Sequence, residues 1–119
     1  MRFKKLLKIL DLEKENIEVV FLWDTEKNQK LKSSTDRNFK GFEDVVLAIS
    51  EDGLIDILDN PNYPNQLILV VEIDNYIYAV PAILEIERDK EGKILFVEFK
   101  TLYPSRKLLK KYKGGTKND

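Results

Sequence analysis

The sequence predicts an α+β fold: an antiparallel β-sheet with two helices packed on one face and a short C-terminal helix. Three observations carry that expectation. Residues 66–103 read as three apolar strands separated by two polar breaks, Asp74-Asn75 and Arg88-Asp89-Lys90-Glu91-Gly92. Ahead of them lie two segments with helix-start signals, Asp24 before Thr25 and Glu43-Asp44 beside an apolar repeat. Behind them, Pro104 ends the last strand and a cationic stretch of helical character begins.

In chain order, Phe3, Leu6, Leu7 and Leu10 recur at three and four residues, which predicts a short amphipathic helix with lysines outward. Its cationic start is like that of a secretory leader. Lys8 and Asp11 interrupt the apolar stretch, however, and no small-residue cleavage site follows, so a cytoplasmic location is expected. No window is long enough to span a membrane, because Glu72 and Asp74 cut the most apolar region. Ile17 to Trp23 reads as a first strand, rich in β-branched and aromatic residues. Asp24 is placed to cap a helix running to about Lys32, its carboxylate accepting from a backbone N–H at Glu26 or Lys27. A polar loop at 33–38 precedes a second helix whose buried face is Phe42, Val45, Val46 and Ile49, with Gly53 as its stop. Leu54 to Leu58 fits a short strand or one more helical turn, and the proline-bearing stretch 59–65 is a loop.

The run Gln66 to Ile73 is nearly continuous in Leu, Ile and Val, as in a strand buried on both faces. Asp74 and Asn75 suit the centre of a two-residue hairpin that returns the chain through Tyr76 to Glu87. Pro81 lies inside that return strand, which places it at a bulge or an edge. In the third strand, Leu95, Val97, Phe99, Thr101 and Tyr103 share one face while Glu98 and Lys100 share the other. Residues 105–113 suit a short cationic helix. The 119 residues make a single domain, read as an N-terminal helical extension at 1–16, a core at 17–113 and a flexible tail at 114–119.

Composition narrows the chemistry. The chain holds no cysteine and no histidine, which removes disulfides, Cys/His zinc sites, thiol nucleophiles and imidazole acid-base catalysis. No phosphate-binding glycine loop, paired metal-carboxylate motif or nucleophile elbow is present, so neither a metal nor another cofactor is expected. The net charge is -1, but its distribution is uneven. Arg2, Lys4, Lys5 and Lys8 open the chain without an acid, and Arg106, Lys107, Lys110, Lys111, Lys113 and Lys117 close it against Asp119 alone. If the two ends meet, they form a basic patch on an acidic body, an electrostatic footprint for phosphate; the competing reading is two solvated tails.

Phe21-Leu22-Trp23-Asp24-Thr25-Glu26-Lys27-Asn28, then Phe42-Glu43-Asp44-Val45, then Arg106-Lys107 with a later Tyr112, resembles the BrnT-type toxins of bacterial toxin-antitoxin modules. The correspondence covers roughly residues 21–112. It implies a RelE-like fold, ribonuclease activity and inhibition by a cognate antitoxin protein in a hetero-oligomer. The family's Lys-His-Gly run is here Asn38-Phe39-Lys40-Gly41, without the imidazole.

Metal-independent RNA cleavage needs a base for the 2'-OH proton, cations over the crowded phosphate and an acid for the departing oxygen. Arg106 suits the phosphate role, since its guanidinium stays charged and grips two oxygens at once. Lys27 is expected beside it, with Tyr112 as an acid-base group. Lys30, Arg37, Lys107, Lys110 and Lys111 are the expected RNA contacts. Each has a plainer reading: a solvated helix face for the lysines, a basic tail for Arg106. Tyr103 reads as core, Asp24 and Glu43 as helix-start residues, and Trp23 as core. The alternative function is a non-catalytic module that binds RNA or protein through the same patch.

Overall fold

Residues 3–14 and 16–114 are described by the structure, a computed structural model. In chain order they form α1 (Lys4–Ile9), β1 (Ile17–Leu22), α2 (Thr25–Lys32), a 3-10 turn (Thr35–Arg37), α3 (Phe42–Ser50), β2 (Leu54–Asp59), β3 (Leu67–Ile73), β4 (Tyr76–Asp89), β5 (Gly92–Phe99), β6 (Tyr103–Pro104) and α4 (Arg106–Lys113). The fold is α+β, but its sheet is larger than expected and mixed. Its order is β1-β5-β4-β3-β2, with the short β6 paired to β4 beyond the end of β5.

The expected meander is present. β3 and β4 pair antiparallel from Leu67 opposite Ala82 to Ile73 opposite Tyr76, and Asp74 and Asn75 turn the chain at φ 51° and 66°. Such left-handed values are tolerated best by glycine, asparagine and aspartate. The correction concerns the other strands. Leu54–Asp59 is a strand, β2, which forms one edge antiparallel to β3. β1 forms the opposite edge and runs parallel to β5, from Ile17 opposite Lys93 to Leu22 opposite Glu98. Alternation along a strand reports which face is buried, not which neighbour it meets or in which direction. After β1 the chain crosses the sheet through α2 and α3, re-enters at the far edge and returns by antiparallel neighbours, so β1 is paired only at the end.

One face of the sheet carries the main core. Leu6 and Leu7 of α1, Leu31 of α2, and Phe42, Val45, Ala48 and Ile49 of α3 pack over Leu69, Val71, Tyr78, Val80, Leu95, Val97 and Phe99. Full burial of such a side chain contributes roughly 1.5–3 kcal/mol. α1, expected as part of an extension, therefore supplies core residues. α4 covers the other face, where Val70, Ile77 and Ala79 are buried and Ser105 N donates to Ile77 O at 3.0 Å. The two cationic ends thus lie on opposite faces: α1 shares the core face, α4 does not. Residues 1–2 and 115–119, including Arg2, Lys117 and most of the expected tail, lie outside the described residues.

Further corrections are local. α3 stops at Ser50 because Asp52, not Gly53, takes the left-handed backbone, at φ 65°. Pro81 is neither bulged nor at an edge but buried in the central strand β4, opposite Ile68. Its carbonyl accepts from Lys100 N at 2.8 Å, so its missing N–H faces the gap between the end of β5 and the start of β6, where no ladder partner is needed. In that gap the alternation shifts by one residue. Leu102 is fully buried and Tyr103, expected in the core, is 39% exposed.

Candidate nucleic-acid interface

The site begins with an aromatic stack. Trp23 lies 6.0 Å from the ring of Phe99 at an interplanar angle of 14°, and 5.9 Å from Phe42, whose ring is 5.5 Å from Phe99. Trp23 is therefore core, as expected, and the stack fixes the exit of β1 against the end of β5. Asp24 then caps α2 as predicted, accepting from Lys27 N at 2.8 Å. α2 buries only Asn28 and Leu31, so polar bonds do much of its anchoring.

Asn28 is the residue that sequence reasoning passed over. It is 3% exposed; its Oδ1 accepts from Phe42 N at 2.7 Å and its Nδ2 donates to Glu43 Oε1 at 2.9 Å. One side chain thus satisfies an orphan N–H at the start of α3 and clamps α3 to α2. The bond from Asn28 is the main cause holding the Glu43 carboxyl below its usual range, with Lys32, 3.5 Å away, adding to it. The Trp-Asp and Phe-Glu elements of the sequence are joined physically through this amide. Its signal was an asparagine inside a helix, where propensity gives no reason for one.

Lys27 stands one turn into α2, beside Lys100 just beyond β5. Both line two adjoining hollows. The first, of about 280 Å³, also holds Lys30 together with Asp24, Glu26 and Glu98. The second, of about 400 Å³, is lined by Lys27, Lys100, Thr101, Tyr103, Pro81 and the β2-β3 loop, which contributes Asn60, Asn62, Tyr63 and Gln66. No carboxylate lines this second groove. Tyr63 is 58% exposed there and faces it with Tyr103. The loop is folded on itself, Asn62 N donating to Asn60 Oδ1 at 3.1 Å and Gln66 N to Tyr63 O at 2.9 Å. Two ammonium groups, three amides and two open phenol rings offer phosphate contacts, base-edge hydrogen bonds and stacking surfaces together.

The other expected residues are distributed differently. Arg37 donates Nε–H to Leu102 O at 2.7 Å, so it straps the chain ahead of β6, and Asn38 Nδ2 donates to Tyr78 OH at 2.8 Å beside it. Tyr112 OH donates to Asp56 Oδ2 at 2.7 Å; that bond, with partial burial, pushes the phenol up to about 12. Tyr112 thereby anchors α4 to β2, and Lys113 Nζ bonds Glu72 Oε2 at 2.7 Å in the same way. Arg106, Lys107, Lys110 and Lys111 are exposed along the outer side of α4, and none is ion-paired to a described acid. Lys111 Nζ lies 5.2 Å from the Tyr112 ring centroid. Arg106 lines none of the described hollows. The structure brings Lys27 and Lys30 together with Lys100 and leaves Tyr112 with Asp56.

No protein-family model, curated protein or solved structure matches the chain. Among the described residues, no helix is long and apolar enough to cross a membrane.

Proposed function

We propose that this chain is the toxin of a toxin-antitoxin pair, a metal-independent endoribonuclease that holds single-stranded RNA in the acid-free groove and cleaves it by 2'-OH attack. The supporting observation is the groove itself: Lys27 and Lys100 with Tyr63, Tyr103 and loop amides, and no carboxylate to repel a phosphate. A base stacks on Tyr63 or Tyr103, and the lysines neutralise its phosphate. The 2'-OH of the substrate attacks the phosphorus and the 5' oxygen departs, leaving a 2',3'-cyclic phosphate, with water taking the 2'-OH proton and protonating the departing oxygen. The protein supplies charge and position rather than a covalent intermediate. Arg106, exposed at the start of α4 and outside the groove's lining, is the cation that the resemblance assigns to the phosphate that develops charge. A cognate antitoxin inhibits by covering the groove, in a hetero-oligomer on the RelE-like scaffold that the resemblance implies.

Expression of the chain alone in bacteria tests this. Growth arrest with RNA breakdown, abolished by Arg106→Ala and by Lys27→Ala in folded variants, supports the enzyme. Normal growth with intact RNA at good expression overturns it.

A specific observation favours a second reading, a non-catalytic RNA- or protein-binding module. Tyr112 donates a hydrogen bond to Asp56 and stays protonated, its pKa raised to about 12, so it is committed to a structural bond and is no base at neutral pH. Under this reading the purified chain retards single-stranded RNA in the groove yet leaves it uncut.

A further inference from the structure

The sheet face that α4 covers is only half covered. α4 starts above β4, where Ser105 N bonds Ile77 O, and reaches β2 at Tyr112, away from β5 and β1. The same face continues across the far half of the sheet. There Val20 pairs with Phe96 and Phe96 with Glu85; Leu22 pairs with Glu98 and Glu98 with Ile83; Glu18 pairs with Ile94 and Ile94 with Glu87. Their neighbours Val19, Phe21, Leu95, Val97 and Leu84 point the other way, into the core. Leu22 is 45% exposed, and α1, α2 and α3 all pack on the opposite face.

The chemistry of this open half is one-sided. Its apolar centre is Val20, Leu22, Ile83, Ile94 and Phe96. Its rim is Glu18, Glu85, Glu87 and Glu98, and only Glu98 has a described cation partner, Lys100 at 3.4 Å. At the tip of the β4-β5 hairpin, Glu18, Asp89 and Glu91 with Lys93 line a hollow of about 270 Å³. The covered half shows what such a surface accepts. Half-buried Leu108, Leu109 and Tyr112 of α4 meet an apolar floor that includes Val70, Ile77 and Ala79, while Lys113 reaches the rim carboxylate Glu72.

We propose that the open β1-β5-β4 face docks a lysine-rich amphipathic helix of a partner protein, laid on the sheet beside α4 with its apolar side on Phe96 and its ammonium groups on the flanking glutamates. Apolar area supplies affinity, and the acidic side of the rim at Glu18, Glu85 and Glu87 selects a cationic partner and speeds its encounter. This surface lies on strands facing away from the core, and its sign of charge is opposite to that of the RNA groove. A nucleic acid is therefore repelled from it.

The test is a titration of the full chain with a synthetic 18-residue helical peptide, leucine on one side and lysine on the other, followed by amide NMR shifts and calorimetry. Expected are shifts concentrated at residues 18–22, 83–87 and 94–98, and micromolar affinity that falls tenfold or more in Glu85→Lys/Glu87→Lys. Both positions are exposed, so that variant retains the fold, which its circular dichroism verifies. A peptide of the same pattern with glutamate for lysine is expected not to bind. The proposal is overturned if the shifts map elsewhere, if the reversed charges leave affinity unchanged, if the glutamate peptide binds equally, or if sedimentation shows the chain pairing with itself through this face.

Discussion

Two regions of the molecule concentrate positive charge, and they differ in how their groups are arranged. Along the outer side of α4, Lys107, Lys110 and Lys111 form a stripe, exposed to solvent and without an ion pair to a described acid. Between α2, the end of β5 and the β2-β3 loop, Lys27 and Lys100 stand in a concave groove with two tyrosines and three amides. The sequence draws attention to the first, where charge is dense. The groove has fewer cations yet fits the proposed function better, because stacking and hydrogen bonding need surfaces that converge, whereas a stripe supplies only long-range attraction.

The largest effect expected from this contrast is on RNA affinity. Lys27→Ala/Lys100→Ala removes the two phosphate contacts proposed for the groove and is expected to lower affinity for a single-stranded oligonucleotide on the order of 100-fold. The slope of log affinity against log salt falls by about 1.4, that is about 0.7 per contact. The same change of charge on the stripe, Lys110→Ala/Lys111→Ala, is expected to cost no more than about threefold, through encounter rate alone. Equal losses in fluorescence-anisotropy titrations would erase the distinction between groove and stripe. Next in size is Tyr63→Ala, which removes an exposed stacking ring and costs about 1–3 kcal/mol of binding with the fold intact. An unchanged dissociation constant would show that the loop does not take part.

Asn28→Ala tests the bracket that holds the groove's helix in place. It strands Phe42 N–H in a buried setting and is expected to destabilise the fold by about 1–3 kcal/mol in urea unfolding, whereas Gln29→Ala on the exposed side of α2 has little effect. The smallest effect sharpens the stripe's side of the comparison. Tyr112 has its pKa raised from 10.0 to about 12 because its neutral phenol donates to Asp56. Its contribution to stability is therefore present below the unfolded pKa near 10 and lost as pH rises through about 12. Tyrosinate absorbance should show a late-titrating component from Tyr112 that shifts toward 10 in Asp56→Ala; a profile identical in both proteins would remove the anchor assigned to α4.

Several features were legible in the residues because they are local. Asp24 caps α2 through an N–H three positions away, Asp74-Asn75 turns the hairpin with its own backbone, and the cationic helix expected at 105–113 forms as α4 directly after Pro104. Strict alternation puts Tyr103 in the core, but the strand stops opposite Pro81 and the phase slips there. A loop arginine such as Arg37 reads as a phosphate contact because nothing local hints that a carbonyl 65 positions later takes its Nε–H. Tyr63, in a loop of prolines and asparagines, offered no signal beyond being aromatic in a polar setting.

By itself the sequence determined the caps, the hairpin turn, the buried side of α3 and the cationic character of α4, since each depends on residues within a turn or two of one another. The tertiary structure alone decided that β1 lies parallel to β5, that the cationic ends occupy opposite faces, and that Lys27, Tyr63 and Lys100 share one groove. Those outcomes rest on which distant segments become neighbours, and strand periodicity leaves that choice open because it specifies a face and not a partner.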